Sequence, residues 1–337
     1  MKICTPILVG AILAFSISIF SHDDWLTLER KIQNTHVITQ FDEPPVYLGS
    51  LKLSDDKNLR PFAFCSTDQY RFLSYHNKSL VDIFDTRFKF IKRLDLSHEG
   101  KGSITGITAD HDHIYMTDSQ IGDLRIYDLL GTLIQRIAWL PDHVSRLRPY
   151  GITLHDGVLY VTDRKLQQVM AINIMEKPGI SEPGELIFSA PDLNGSDLDF
   201  FAPGYCIISP DGRLLVSTLH PANVRVFSCN GRDMGLLVKP ESNALQSPQG
   251  MAFDNIPSPK FLARADSVFD PSGIYQQGRL HIADSETGMI HVFDPSGTQI
   301  LTYGEELESP INLAIDNEKR LIMITDMAST ELKFYKF

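Results

Sequence analysis

Six stretches of the chain can be laid over one another, and this repetition constrains the fold more than any other feature of the sequence. Clear copies run from Ile104 (ITGITADHDHIYMTDSQIGDLRIYDLLGTLIQRIAWL), Pro149 (PYGITLHDGVLYVTDRKLQQVMAINI), Pro203, Pro248 and Pro310. A degenerate first copy starts at Pro61. Each holds short apolar runs with partial alternation, rich in β-branched and aromatic residues. Turn signals such as Pro210-Asp211-Gly212 and Pro295-Ser296-Gly297 separate the runs. This punctuation reads as strands, and beyond the N-terminal leader no segment sustains a helical period.

Four antiparallel strands, a to d, fit each copy. The residues that end strand b are Tyr75, Asp118, Asp163, Thr218, Asp284 and Asp326, at intervals of 43, 45, 55, 66 and 42 residues. A unit of 42 to 45 residues with two insertions has the length of a propeller blade. The expectation is an all-β, six-bladed β-propeller, with residues 22–337 forming one domain. Small residues near the start of strand a (Ala63, Gly106, Gly151, Gly204 and Gly250, with Asn312 in the sixth copy) suit backbones that crowd at an axis.

The last copy reaches Phe337 after strand c, whereas VYLGSLKLSDDKNLRPFAF from Val46 resembles TLIQRIAWLPDHVSRLRPYGIT from Thr132. The strand near Tyr47 to Leu53 is therefore expected to complete the last blade and remove an open edge. One long insertion, Asp254 to Gly278, separates strands a and b of the fifth copy and is expected to be dispensable for folding.

Lys2 precedes an apolar run, Ile7 to Phe20, that stops at Ser21-His22-Asp23-Asp24. This is the layout of a secretory signal peptide, residues 1–21, with an uncleaved anchor as the alternative. The run falls short of the roughly 20 residues of a comfortable membrane span. A secreted or periplasmic location follows, with no membrane attachment once the leader is removed. Three cysteines then remain, Cys65, Cys206 and Cys229. They read as buried thiols, one Cys206–Cys229 bridge being the alternative. Asn77-Lys78-Ser79 and Asn194-Gly195-Ser196 are glycosylation sequons. With 31 Lys and Arg against 42 Asp and Glu, a net charge of -11 and no basic run, the chain is a poor match for nucleic acid or an anionic membrane surface.

A small residue and an apolar strand are followed by Tyr-Val-Thr-Asp (Tyr160 to Asp163) or Ile-Ala-Asp (Ile282 to Asp284). Six residues after the strand end comes Val-x-Val-Phe or Ile-x-Val-Phe (Val224 to Phe227, Ile290 to Phe293). The pattern resembles the NHL-repeat proteins, over essentially the whole chain after the leader. The resemblance implies a propeller. It does not imply one function, since that family includes binding scaffolds, lactonases and lyases.

In such blades the d–a and b–c loops open on one face. The d–a loops bring Arg60, Phe62, Arg148, Tyr150, Gln249 and Asn312 to that face, and the b–c loops bring His76, Arg164, His220 and Glu286. These ten are the candidate ligand-binding residues. The mixture of Arg, aromatic and amide suits a small anionic or sugar-like molecule, a glycan or a protein. The alternative is that they cap strands and pack between blades. Asp118, Asp163, Asp284 and Asp326 recur at equivalent places, which suits turn capping rather than catalysis.

By resemblance, a gluconolactonase-type propeller would hold a divalent cation near the axis through Glu, Asn and Asp oxygens. The strand-a starts here, Phe62, Thr105, Tyr150, Pro203, Gln249 and Ile311, contain no carboxylate. The amidating lyases of the NHL type use zinc held by channel histidines, for which His76 and His220 are the two candidates near the mouth. Asp110-His111-Asp112-His113 reads as a solvated a–b turn. Asp192, Asn194 and Ser196 have calcium-loop spacing, but Asp197 stands where Gly is needed and Pro203 where Glu belongs. No G-x-S-x-G, H-E-x-x-H, C-x-x-C or P-loop occurs. The chain thus reads as a monomeric binding scaffold without a resident cofactor. A lactonase-like or amidating-lyase-like enzyme with a divalent cation in the channel is the alternative.

Overall fold

Within every copy strand a pairs with b, b with c and c with d, producing six four-stranded antiparallel sheets. The computed structural model describes residues 22–38, 40–138, 146–174, 185–190, 201–242, 244–256 and 278–337. The expected leader, the Asn194 sequon with its calcium-like spacing, and residues 257–277 of the insertion lie outside the described residues.

Helix α1 (His22–Asn34) and strand β1 (Val46–Lys52) precede blade 1, which is β2 (Pro61–Ser66), β3 (Tyr70–Tyr75), β4 (Leu80–Asp85) and β5 (Phe90–Asp95). Blade 2 is β6 (Ile104–Ala109), β7 (His113–Asp118), β8 (Asp123–Asp128) and β9 (Leu133–Ile137). Blade 3 is β10 (Pro149–His155), β11 (Val158–Asp163), β12 (Gln168–Asn173) and β13 (Glu185–Ala190). Blade 4 is β14 (Phe201–Ile208), β15 (Arg213–His220), β16 (Ala222–Ser228) and β17 (Asp233–Val238). Blade 5 is β18 (Pro248–Phe253), β19 (Leu280–Asp284), β20 (Met289–Phe293) and β21 (Gln299–Tyr303). Blade 6 takes β22 (Pro310–Asp316), β23 (Leu321–Asp326) and β24 (Glu331–Lys336) from the C-terminus, and its fourth strand is β1.

Strand β1 closes the last blade, as expected. Val46 faces Lys336 and Lys52 faces Glu331, with a bulge between Tyr47 and Gly49. Leu48, Leu51 and Leu53 are buried there with Leu332 and Phe334. Burial of each such side chain contributes about 1.5–3 kcal/mol, so the seam is held by packing as well as by the strand ladder.

The hydrophobic core lies in wedges between neighbouring blades. Blades 2 and 3 enclose Leu124, Ile126, Ile152 and Val161, and blades 4 and 5 enclose Leu215, Val226, Met251 and Ile282. The wedge between blades 1 and 2 continues to the axis through Phe62, Tyr150, Tyr205 and Ile311.

A line of hydroxyls joins the inner strands. Ser74, Thr117, Thr162, Ser217 and Thr325 stand at equivalent places near the end of strand b, where blade 5 has Ala283. Ser74 Oγ accepts from Ala63 N–H at 3.0 Å and donates to the Ile104 carbonyl of the next blade at 2.9 Å. Thr162 Oγ1 repeats this, accepting from Gly151 N–H and donating to the Gly204 carbonyl. Thr117 donates to the Tyr150 carbonyl at 2.6 Å. The close approach explains the small residues: a Cβ on Gly106 would lie 2.5 Å from the Tyr150 carbonyl oxygen, and one on Gly151 would lie 2.6 Å from that of Gly204.

Two expectations are corrected. Sequence alignment sets Gly204 beside Ala63 and Gly151, but the ladder pairs Cys206 with Val216 as it pairs Ile152 with Val161. Tyr205 therefore occupies the small-residue position, and its N–H, like that of Gly151, bonds the strand-b hydroxyl, here Ser217 at 2.9 Å. The start of strand a aligned with Phe62 and Tyr150 is accordingly Gly204 rather than Pro203. The second correction is α1, thirteen residues of helix where none was expected. Trp25, Leu28 and Ile32, at i, i+3 and i+7, form its apolar face. The Trp25 ring lies 5.3 Å from that of Phe88 and 6.3 Å from that of Phe334, and Lys31 Nζ donates to the Leu48 carbonyl at 2.8 Å. That spacing is a helical signal in the sequence, confined to two turns directly after the apolar leader.

Candidate functional site

The b–c and d–a loops share one face, as the strand directions require. The strand-end carboxylates hold these loops together. Asp163 accepts from the backbone N–H groups of Arg148 (2.6 Å), Lys165 (2.8 Å) and Leu166 (2.8 Å). Asp326 does the same for Glu308, Ser309 and Ala328, and Asp118 for Ser103, Gln120 and Ile121. Each carboxylate accepts from turn amides, the capping role that the repeat pattern indicated, and the second oxygen of Asp118 lies 3.5 Å from Arg125 Nη2.

Five of the ten candidate residues meet at the axis, and a residue absent from that set joins them. The rings of Phe62 and Tyr150 stand edge-on at 6.4 Å, and the Tyr150 and Tyr205 rings at 5.4 Å. The Arg164 guanidinium lies 3.2 Å from the centroid of the Tyr150 ring, and its Nε–H donates to the Pro203 carbonyl at 3.2 Å. His76 packs on Phe62 at 5.4 Å. The Tyr205 hydroxyl crosses from blade 4 to donate to the Thr105 carbonyl of blade 2 at 3.0 Å, and the Asn312 side chain hydrogen-bonds to it from blade 6. Burial, with the neighbouring Tyr150, pushes the Tyr205 phenol well above its ordinary value against the opposing pull of Arg164 and Asn312, so it remains a donor at neutral pH. Burial, and then the Arg60 charge, lowers His76 below 6.5, so its imidazole is neutral at pH 7.

Phe62 and Tyr150 are 4% and 8% exposed, which makes them a plug on the axis rather than open walls of a mouth. Gln249 is equally buried: its Nε2 donates to the hydroxyls of Ser247 (3.2 Å) and Ser285 (3.3 Å). Arg60, Arg148, His220 and Glu286 are exposed on the rim.

Beside the plug, between blades 1 and 2, is a cleft of about 830 Å³. Lys78, Lys101 and Arg148 line it with Asp95, and none of the three cations is held in an ion pair among the described residues. Hydroxyls of Ser79, Ser97, Ser103 and Ser119 and the amides of Asn77 and Gln120 complete the wall. Of the ten candidates only Arg148 lines this cleft. The other lining residues lie farther along the loops than the strand-end positions in the candidate set, or in the loops of blade 2, which contribute none to it. The signal was present in Lys101-Gly102-Ser103 and Ser119-Gln120, which occupy the same classes of loop.

Elsewhere, the Asp110–His113 segment is a turn: Asp110 accepts from the N–H groups of Asp112 and His113 and from the Tyr115 hydroxyl. Cys65, Cys206 and Cys229 are free thiols, and burial raises Cys65 to about 11. Among the described residues no group of three or more His, Cys, Asp or Glu is placed to hold a metal ion, and no helix is long and apolar enough to cross a membrane.

No family model matches the chain, and no curated protein matches it. Solved structures do. The chain is similar to a catalytically inactive histidine-to-alanine variant of virginiamycin B lyase from Staphylococcus aureus, solved with quinupristin, at 12% identity and a TM-score of 0.59, covering 86% of this chain and 98% of that one. It is similar to a streptogramin B lyase at 13% identity and a TM-score of 0.56, covering 87% and 86%. A Bacteroides thetaiotaomicron protein of unknown function has 14% identity and a TM-score of 0.59, covering 85% and 72%. Identities this low establish a shared propeller fold.

Proposed function

We propose that this chain is an exported, NHL-like binding propeller that takes a small acidic saccharide or related polyhydroxylated anion into the cleft between blades 1 and 2. One observation carries the reading: Lys78, Lys101 and Arg148 converge, without ion-pair partners among the described residues, on a hydroxyl-lined cleft of a chain whose net charge is -11. Cations in an acidic protein attract anions locally while the overall field repels them, which favours selectivity by contact over long-range capture. Ser and amide groups suit the hydroxyls of a sugar. Arg148 is the residue to test. Its backbone is fixed by Asp163 while its side chain is exposed, so truncation removes a charge without disturbing the fold. Calorimetric titration with an unsaturated uronic acid disaccharide is expected to show binding that weakens by about 1.5–3 kcal/mol in Arg148→Ala, with an unchanged melting temperature. Absence of binding, or equal affinity in the variant, counts against the site.

The lyase neighbours favour a second reading, catalysis on the same face. A histidine is essential in one of them, and here His76 is a neutral imidazole beside the axial plug. A neutral imidazole is suited to remove a proton. Incubation with quinupristin, followed by chromatography, tests this directly. Conversion that disappears in His76→Ala supports a lyase, and the absence of conversion removes quinupristin as its substrate.

A further inference from the structure

On the face opposite the mouth, α1 does not lie flush against the propeller. Between the helix and the a–b and c–d ends of blades 1 and 6 is a cavity of about 520 Å³. That is within the range of small-molecule sites, roughly 300–1,000 Å³. One wall is apolar, with Trp25, Ile32, Phe88, Leu321 and Met323. The other carries four cations, Arg71, Arg87, Lys319 and Lys336, against two carboxylates, Glu29 and Glu318.

Two buried donors at this cavity have no acceptor among the described residues, Nε of Arg71 and Nε1 of Trp25. Arg71 is 3% exposed, and the rest of its guanidinium is occupied. Its Nη1 donates to the carbonyls of Thr67 and Tyr70, and its Nη2 donates to Asp316 at 3.3 Å. Asp316 also meets Lys319 Nζ at 3.5 Å, and Lys336 Nζ donates to the Lys319 carbonyl at 2.8 Å. Buried N–H groups are nearly always paired. Two left over at one cavity, one of them on a buried cation and both beside an apolar wall, mark where an acceptor with an apolar tail belongs.

We propose that this cavity binds a small amphipathic anion of the medium-chain carboxylate class. The carboxylate accepts from Arg71 Nε–H and Trp25 Nε1–H, and the alkyl chain lies against Ile32, Phe88, Leu321 and Met323. The site is separate from the mouth-face cleft and does not depend on it.

The chain has two tryptophans, Trp25 and Trp139. In Trp139→Phe the emission of Trp25 reports on the cavity, and a thermal shift of the unsubstituted protein gives a second readout. Octanoate is expected to change the emission saturably and to raise the melting temperature. 1-Octanol and acetate, which lack the charge and the tail respectively, are expected to bind at least about tenfold more weakly. Arg71→Gln is expected to weaken octanoate by about tenfold or more. If that variant does not fold, Val37→Phe, which places a ring in the cavity from a half-buried lining position, is expected to abolish the response while the far-ultraviolet circular dichroism stays native. No saturable response to octanoate overturns the proposal, as does an equal response to 1-octanol. Undiminished octanoate binding in the folded variants does so too.

Discussion

The hydroxyl of Thr325 lies 2.7 Å from the carbonyl oxygen of Phe62 and donates to it, joining the last blade to the first across 263 positions of the chain. The Thr325 hydroxyl oxygen in turn accepts from Asn312 N–H at 3.0 Å. One buried side chain thus satisfies a donor in its own blade and an acceptor in the next. Replacement by the isosteric Val leaves both unpaired. Thr325→Val is expected to destabilise the protein by about 1–3 kcal/mol, measured by urea denaturation. A change within error would show that the seam is held by β1 alone.

Removal of residues 22–54 takes away α1 and β1 together. Leu48, Leu51 and Leu53 leave the core, and β24 becomes an open edge. Several kcal/mol of burial are lost, so the unfolding midpoint is expected to fall by about ten degrees or more, or cooperative unfolding to disappear. An unchanged midpoint would refute the shared-blade closure.

The insertion in blade 5 has a buried base. Asp254 is 2% exposed, and its carboxylate bonds Arg279 Nε at 2.7 Å and His281 Nε2 at 2.9 Å. The Asp254 N–H donates to the Arg279 carbonyl at 3.1 Å, so the chain is already closed before residue 257. Replacing residues 257–277 with a short Gly-Ser turn is expected to leave thermal unfolding cooperative. Asp254→Ala, which leaves the buried Arg279 facing no carboxylate, is expected to cost about 3–5 kcal/mol. Calorimetry of the two variants separates the dispensable segment from its structural base.

His281 gives the fold a pH dependence. Burial lowers it below its ordinary 6.5 despite Asp254, whose charge Arg279 already compensates. The neutral ring then donates Nε2–H to Asp254 and accepts from the Tyr303 hydroxyl at Nδ1, 3.0 Å away. The unfolded chain takes up a proton near pH 6.5 that the folded chain refuses, so stability is full above 6.5 and falls as the pH drops below it. His76 and His291 are lowered as well and act in the same direction. Asp254 is held below 3.8, so its own contribution is lost only in stronger acid. Denaturation midpoints measured from pH 7 to pH 5 are expected to fall, and to fall less in His281→Gln. Parallel profiles would show that His281 titrates alike in both states.

Much of this was legible from the sequence because its causes are local. Strand b, its terminal Asp and the following turn lie within one unit, so each blade writes its own hydrogen-bonding pattern into about 40 residues. Six repeats then fix the blade number, and the unpaired strand c at the C-terminus calls for a partner that only the Val46 segment resembles. The hydroxyl before each strand-b end was also readable, recurring as Ser or Thr in five of six units, but its partner belongs to the neighbouring blade.

What only the tertiary structure decided are contacts between residues with no common period. The Tyr205 hydroxyl meets the Thr105 carbonyl 100 positions away, because β14 keeps the register of β10 and so places a ring that spans the axis at a position that is small in most units. The small residue of this unit, Gly204, stands one place before that position, so matching glycine to glycine in the sequence hides the ring. The cavity under α1 likewise needs Trp25, Arg71 and Lys336 from three distant segments. Each is unremarkable in its own stretch of sequence, and they become a site only when closure of the ring brings the two ends of the chain together.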